Sequence, residues 1–445
     1  MNYVGTARPI HDAKGKATGY SKYAGDISLP NMAYLCMLHS KIPHGYVKAV
    51  HAEKALALPG VYGVYHCLNT TDRKYNRYRS NFDQSYLPNE ECAFNDYVRF
   101  VGDKIGVVAA CDQETAERAA RLVEVEYEEL PFSIGFDDTL AGKNCLDGET
   151  PVRDEYELDV GEKQGNAEGL IEVCSTMELP RLHHATMETH ACIADYDPYS
   201  DMLTVYCPNQ AVHGIRTVLA DFLEMPESHV RVVKATMGGS FGAKQEWFLE
   251  PVTALVAKKL CRPVKLVYSR GEAMTDTIVR GAMRMSARGY YMPDGEMKEI
   301  YCDVTLDAGA YIGNAGDYVR ALAGKPTRCY RIPYMHYHGQ VISSNSPVSG
   351  AFRSWSAAEE ALMMERQLDA AAEKLGMDRL AIRLKNVARS GEEDKKLRLS
   401  LEDIRIGDAI TLGSEKFGWD KLKAEDAAFN ASQQRYRRGV GIGIG

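Results

Sequence analysis

The chemically richest stretch is Met237-Gly238-Gly239-Ser240-Phe241-Gly242-Ala243-Lys244-Gln245, set between an apolar run from His229 to Met237 and an apolar helical pattern after it. A backbone this poor in side chains can come close to a flat or anionic ligand. A helix that follows aims its unpaired N–H groups at the same place. The pattern also fits a tight strand-to-helix turn in which the glycines serve sterics alone. Two nucleotide-binding motifs fail on spelling. A P-loop needs Gly before its Lys and Ser or Thr after it, where Ala243 and Gln245 stand; the fingerprint G-x-G-x-x-G meets Ser240 and has no third Gly in register.

Two further segments accompany this loop, Pro208-Asn209-Gln210-Ala211-Val212-His213-Gly214-Ile215-Arg216 upstream and Gly350-Ala351-Phe352-Arg353 downstream. Together the three resemble the molybdenum-binding subunit of the xanthine dehydrogenase/aldehyde oxidase family. Other segments follow in the order this resemblance requires: Gly15-Lys16-Ala17-Thr18-Gly19, Tyr23-Ala24-Gly25-Asp26, Leu58-Pro59-Gly60-Val61, Val98-Arg99-Phe100-Val101-Gly102, Val123-Glu124-Val125-Glu126-Tyr127, Met187-Glu188-Thr189-His190 and Asn345-Ser346-Pro347.

The resemblance implies hydroxylation of an electron-poor carbon with water-derived oxygen, the electrons leaving through iron–sulfur clusters to flavin or another acceptor. The cofactor does the hard steps and the protein orients and tunes it. Gln210 would set its amide beside the metal's oxo group, since a neutral donor does not compete for the metal. Gly239, Phe241 and Gly242 would wall the pocket, and Arg353 would contact the cofactor through its backbone. Gln245 and Arg320 would read the substrate, Arg320 by stabilising developing negative charge. Each has a plainer reading: a capping Gln, a core Phe, a stacked Arg, a surface Arg.

The family's general base is a Glu in a C-terminal Gly-Glu motif, which is expected outside this chain. Gly148-Glu149-Thr150-Pro151 imitates it in a polar segment and reads as a loop. Ser354-Trp355-Ser356 departs from the usual glycine and phenylalanine, and Ser354 argues against the carbon monoxide branch, which carries Cys there. His183, His184, Glu188 and His190 match no zinc spacing signature. The implied cofactor is molybdenum–molybdopterin, with a cytosine dinucleotide form as an option. The implied partners are a complementary C-terminal molybdenum-binding half, a 2Fe-2S subunit and an FAD subunit. A purine or related N-heteroaromatic leads as substrate, with aldehydes, aromatic acyl-thioesters or a non-catalytic truncated scaffold as alternatives.

Length and composition bound what can position these residues. A chain of 445 residues, 45% apolar, exceeds one ordinary core. A net charge of −8 with both signs interspersed offers no basic stripe for nucleic acid or anionic membrane. No apolar run reaches the length of a membrane span and Met1 to Ser21 is polar, so the cytoplasm is the expected compartment. The 11 cysteines are scattered, so the chain has no local iron–sulfur or zinc motif and they read as buried, reduced small hydrophobes.

The expected fold is α+β. A small α/β hammerhead-like domain covers 1–135, with the polar, aromatic insert Asn69 to Glu91 as a long surface loop. A charged linker covers 136–169. The first molybdenum-cofactor-binding domain, of mixed sheets and helices, covers 170–390, and the incomplete start of a second cofactor-binding half covers 391–445. Apolar spacing predicts strands at Ile171 to Glu178, Cys192 to Tyr196, Met202 to Cys207 and Val264 to Tyr268. A hairpin is predicted at Met283 to Leu306, turning at Pro293-Asp294-Gly295. Helices are predicted at Ala211 to Met225, Glu246 to Leu260 and Ala357 to Leu375, with Asn209 capping the first so that Gln210 falls in its opening turn. Arg437 to Gly445 reads as the opening of another buried strand.

Overall fold

The structure, a computed structural model, describes residues 3–78, 87–146, 148, 150–163, 169–432 and 435–445; Glu149 and part of the Asn69 to Glu91 insert lie outside them. Fifteen strands carry the architecture. The first six are β1 Ala33–His39, β2 Gly45–His51, β3 Val61–His66, β4 Tyr97–Val98, β5 Lys104–Ala110 and β6 Glu124–Glu129. Next come β7 Val152–Gly161, β8 Ile171–Leu179, β9 Ala191–Asp197, β10 Met202–Cys207, β11 Val230–Lys234 and β12 Val264–Val267. The last three are β13 Ala282–Tyr291, β14 Met297–Gly309 and β15 Tyr334–Ser343. They form a seven-stranded sheet in the order β11-β10-β9-β12-β1-β5-β3, a five-stranded sheet β7-β15-β14-β13-β8, and a small sheet β4-β2-β6. This is the mixed α/β architecture that the sequence leads one to expect.

The seven-stranded sheet crosses the expected boundary near residue 135. Strand β1 pairs in parallel with β12, placing Ala33 beside Val264 and Leu35 beside Leu266. The first core wraps this sheet, with Leu35, Val107, Cys192, Val205, Leu219 and Val252 all fully buried. The N-terminal strands share this interior and also keep a buried cluster of their own, with Leu38, Val47, Val64, Val98, Ile105 and Val108. The second core lies under the five-stranded sheet, where Met285, Cys302, Met335 and Tyr337 meet Met363, Met364 and Leu368 of the helix Ala357–Leu375.

Local signals account for several elements. Pro293-Asp294-Gly295 turns the β13–β14 hairpin: Gly295 adopts φ +86° and Met292 N–H donates to the Glu296 carbonyl at 2.8 Å. Gly376, at φ +64°, ends the helix Ala357–Leu375 in the left-handed conformation that favours glycine. The helix expected from Glu246 begins at Glu250, with Pro251 in its first turn.

Four expectations need correction. The segment 136–169 is not only a connection, because it contributes β7, the edge strand that pairs with β15 from Gly161 to Val152. Its alternating acidic and apolar residues suit a strand that buries one face. The insert at 69–91 is not a surface loop throughout: Tyr75, Asn76, Arg77 and Glu91 are buried, because their charges and hydroxyls satisfy one another. Arg437 to Gly445 has no strand neighbour among the described residues; Ile442 and Ile444 lie against the second core without pairing. Cys111, Cys174 and Cys261 are exposed rather than buried.

No helix among the described residues is long and apolar enough to cross a membrane.

Candidate functional site

Gln210 stands just before the helix Val212–Leu223 rather than in its first turn. Asn209 does not cap that helix in the usual way: its Oδ1 accepts from Ala211 N–H at 2.7 Å, and its Nδ2 donates to the Glu246 carbonyl at 2.8 Å. Gln210 N–H in turn donates to the Lys244 carbonyl at 2.7 Å. Residues 209–210 are thus laced alongside 244–246.

The glycine loop completes the contact. Ser240 Oγ donates to Gln210 Oε1 and accepts from Lys244 N–H at 3.1 Å. With its oxygen engaged, the exposed Gln210 side chain has its Nε2 amide left to offer. Phe241 follows in the left-handed region, at φ +54°, with its ring 51% exposed. A Phe in that conformation, and on the surface, runs against both backbone preference and hydrophobic burial. Its neighbours Gly239 and Gly242 have φ of +97° and +104°.

Gly242 also brings in the third segment. A β-carbon there would lie 2.3 Å from the Ala351 carbonyl oxygen and 3.1 Å from the Phe352 Cα, so only glycine lets the two backbones cross. Beyond the crossing, Arg280 Nη2 donates to the Arg353 carbonyl at 3.2 Å and its guanidinium sits 4.2 Å over the Phe352 ring. Ser354, Trp355 and Ser356 then all take positive φ, a strained run that Lys325 clamps by donating to the Trp355 carbonyl and to Ser356 Oγ. The three segments singled out in the sequence therefore meet in one place.

The histidines of 183–190 brace these loops. His190 Nε2 donates to the Ala243 carbonyl at 2.9 Å and His184 Nε2 to the Ala351 carbonyl at 2.8 Å. Burial pushes both imidazoles down to about 4, so they are neutral donors at pH 7. His183 binds the Ala273 carbonyl in the same way. Glu188 works from the other side of the loop: its Oε2 accepts from Gly238 N–H at 2.7 Å and from Lys244 Nζ at 2.6 Å. Lys244 is only 1% exposed, and burial lowers its pKa against the opposing pull of Glu188.

Glu246 was not singled out in the sequence, where it reads as the first residue of a helix. It is 1% exposed and, among the described residues, faces no cation at salt-bridge distance. Its Oε1 accepts from Asn314 Nδ2 at 3.0 Å, and the Ala351 N–H also points at its carboxyl. Burial pushes it up to about 8, with Arg77 pulling the other way. Two acidic residues, Glu246 and Glu250, in the otherwise apolar window Glu246-Trp247-Phe248-Leu249-Glu250-Pro251 were the sequence signal available.

Gln245 is half-buried beside these residues, anchored by its N–H to the Gly242 carbonyl at 3.1 Å. Arg320 lies in the helix Ala315–Leu322, which follows Asn314, the partner of Glu246. Its guanidinium forms a bidentate pair with Asp154 of β7, at 2.6 and 2.8 Å, and lies over the Tyr156 ring.

These residues fit a flat cofactor with polar edges. Gln210 offers a neutral amide donor, Phe241 offers an exposed ring, and Gly239 and Gly242 on either side of Ser240-Phe241 carry no side chain. Among the described residues no group of three or more His, Cys, Asp and Glu is arranged to hold a metal ion.

Residues 152–387 match the molybdopterin cofactor-binding domain, and residues 18–131 match the aldehyde oxidase and xanthine dehydrogenase a/b hammerhead domain. The chain is 30% identical over 444 residues to the xanthine dehydrogenase molybdenum-binding subunit of Escherichia coli O157:H7, covering 97% of this chain and 58% of that protein. It therefore spans a little over half of that relative's length. Against the nicotinate dehydrogenase large molybdopterin subunit of Eubacterium barkeri it is 30% identical over 384 residues, covering 85% of this chain and 88% of that one. Among solved structures, quinoline 2-oxidoreductase from Pseudomonas putida 86 superposes with a TM-score of 0.87 at 23% identity, over 96% of this chain and 56% of that chain, which speaks to the fold alone.

Proposed function

Because this chain belongs to the xanthine dehydrogenase/aldehyde oxidase family of molybdenum-binding subunits, we propose that it is part of a molybdenum hydroxylase acting on a purine, such as a xanthine-like base, or a related N-heteroaromatic. The observation that carries this reading is the meeting of Gln210, the Gly239–Gly242 turn and Ala351–Arg353 at one surface. When bound, the molybdenum–pterin group supplies the hydroxylation chemistry. The chain's residues hold and orient it.

In this reading Gln210, fixed through its Oε1 by Ser240, directs its Nε2 donor at the cofactor without competing for the metal. The Phe241 ring gives a flat apolar wall, and its exposed position in the free chain is what a ligand-contacting side chain requires. The backbone at Gly239 and Gly242 approaches the cofactor, and Arg353 contributes main chain steadied by Arg280. Gln245 meets the substrate. Its amide both donates and accepts, which suits the alternating donors and acceptors along a purine edge. Arg320, oriented by Asp154, would read the substrate by stabilising developing negative charge. No general base is assigned within this chain; a complementary half would supply a Glu. A 2Fe-2S subunit and an FAD subunit would carry electrons away, in the cytoplasm. Aldehydes and aromatic acyl-thioesters are the substrates to test against heterocycles.

The test is to purify the native complex, measure molybdenum and pterin, identify the nucleotide on the pterin, and assay purines, pyridine carboxylates and aldehydes. Stoichiometric molybdenum and pterin with turnover of a heterocycle is expected. A complex with neither is a non-catalytic scaffold, and this reading falls.

A further inference from the structure

Glu246 occupies the junction of the three segments that form the candidate site. Through its carbonyl it holds Asn209, the neighbour of Gln210, at 2.8 Å. Through its carboxyl it holds Asn314 Nδ2 at 3.0 Å and faces the Ala351 N–H. Gly350 is pressed onto the same carboxyl: a β-carbon there would lie 2.4 Å from Glu246 Oε1 and 2.6 Å from Ile278 Cδ1. One side chain thus fixes the distance between the glycine loop and the Ala351–Arg353 crossing, and its own main chain fixes Gln210.

Among the described residues this junction is short of donors beyond Asn314 Nδ2 and the Ala351 N–H. Glu246 Oε2 and Asn314 Oδ1 are both buried without a partner, although the two side chains bond to each other through their remaining atoms. Two orphaned acceptors in one buried pair are costly, and a proton on the carboxyl turns one of them into a donor. The charged groups facing Glu246 are Arg77, which favours its ionised form, and Glu91, which opposes it more weakly; burial outweighs the Arg77 pull. Asn314, Gly350 and Ile278 bring no charge.

We propose that Glu246 is a positioning residue that acts as a neutral carboxylic acid, clamping the Asn209–Gln210, Gly239–Gln245 and Gly350–Arg353 segments into cofactor-binding register. This rests on the reading that these segments receive the molybdenum–pterin group. The clamp opens when the acid ionises, because a buried carboxylate in this setting draws in water or moves toward it. Burial places that ionisation at about pH 8. The site would then loosen on the alkaline side without any change in the residues that touch the cofactor.

The experiment compares Glu246→Ala and Glu246→Gln with the wild-type chain in its native complex. Molybdenum and pterin content are measured, together with hydrogen exchange in peptides spanning 239–246 and 350–356 from pH 6 to 9. Glu246→Ala should lose roughly tenfold in cofactor retention, the weakening that follows deletion of a buried hydrogen-bond partner. Glu246→Gln, an isosteric neutral amide, should retain cofactor. Its exchange rates, corrected for intrinsic pH dependence, should lack the extra opening that the wild type shows above pH 8. The clamp is refuted if Glu246→Ala keeps its cofactor, if Glu246→Gln loses as much as Glu246→Ala, or if wild type and Glu246→Gln open identically with pH. Should Glu246→Ala fail to fold, the Glu246→Gln exchange profile still decides. A wild-type complex lacking molybdenum sinks the functional reading instead, and the exchange profiles then still judge the clamp.

Discussion

Two buried acidic regions lie close to Trp247, one built on Glu91, Lys104 and Asp276 and the other on Glu246. On one side Glu91 accepts from Arg77 Nε at 2.7 Å and from Lys104 Nζ at 2.6 Å, and Lys104 also faces Asp276 at 3.5 Å. Trp247 is tied to this side through Nε1 to the Asn76 carbonyl at 2.9 Å. On the other side Glu246, equally buried, has amides for partners and no cation of its own. Burial alone would raise all of these carboxyls. Arg77 and Lys104 reverse that for Glu91, and Lys104 with His39 and Tyr268 reverses it for Asp276, while Glu246 rises to about 8. The difference separates a weld from a hub. Compensated charge joins the N-terminal strands to the rest of the molecule, whereas uncompensated acid sits where loops must be held yet adjustable.

The largest way to break this contrast is to remove the cation. Lys104→Ala leaves Glu91 and Asp276 without their shared partner, and should cost about 3–5 kcal/mol in denaturant unfolding of the chain. A loss under about 1 kcal/mol would mean the two regions do not differ as described. Next comes Gly242→Ala, which forces a β-carbon into the Ala351 carbonyl at φ +104°. A cost of about 1–3 kcal/mol is expected, with loss of bound pterin measured alongside.

Changing pH sharpens the contrast without mutation. Glu246 keeps its proton in the folded chain while the unfolded chain releases it near 4.5, so the stability it contributes is complete below 4.5 and is lost as pH rises through about 8. His184 and His190, depressed to about 4, act in the opposite sense: their contribution is present above 6.5 and is lost as pH falls toward 4. Glu91 and Asp276, both lowered, add to this acid limb. Thermal unfolding across pH 4–9 should therefore pass through a maximum near neutrality, and Glu246→Gln should flatten only the alkaline side. The smallest effect on stability belongs to Gln210→Ala. Its side chain is exposed, so the unfolding free energy should move by less than about 0.5 kcal/mol while molybdenum and pterin content falls sharply. A large loss of stability would mark Gln210 as a structural residue.

The parts of the fold that were legible were those with a clear local period. Alternation in Met283 to Tyr291, the turn at Pro293-Asp294-Gly295 and the 3.6-residue pattern stopped by Gly376 all appear in the structure close to where spacing puts them. Less legible were segments whose polarity is neutralised at a distance. Tyr75, Arg77 and Glu91 look like solvated residues because nothing local reveals that Lys104 and Asp276 will meet them. Residues 152–161 look like a charged connection because their partner strand, β15, lies far along the chain. The pairing of Arg320 with Asp154 was hidden for the same reason, since the two stand 166 positions apart.

What the sequence determined by itself was the identity of the three short segments at 208–216, 237–245 and 350–353, because residue type and local order suffice to spell a motif. Only the tertiary structure decided that Gly242 must be bare to let Ala351 cross, that His184 and His190 are neutral braces, and that Glu246 is the acid between the segments. The reason is physical: the charge state and steric freedom of a buried group are set by neighbours brought from elsewhere in the chain, and a one-dimensional pattern carries no record of them until the cores have closed.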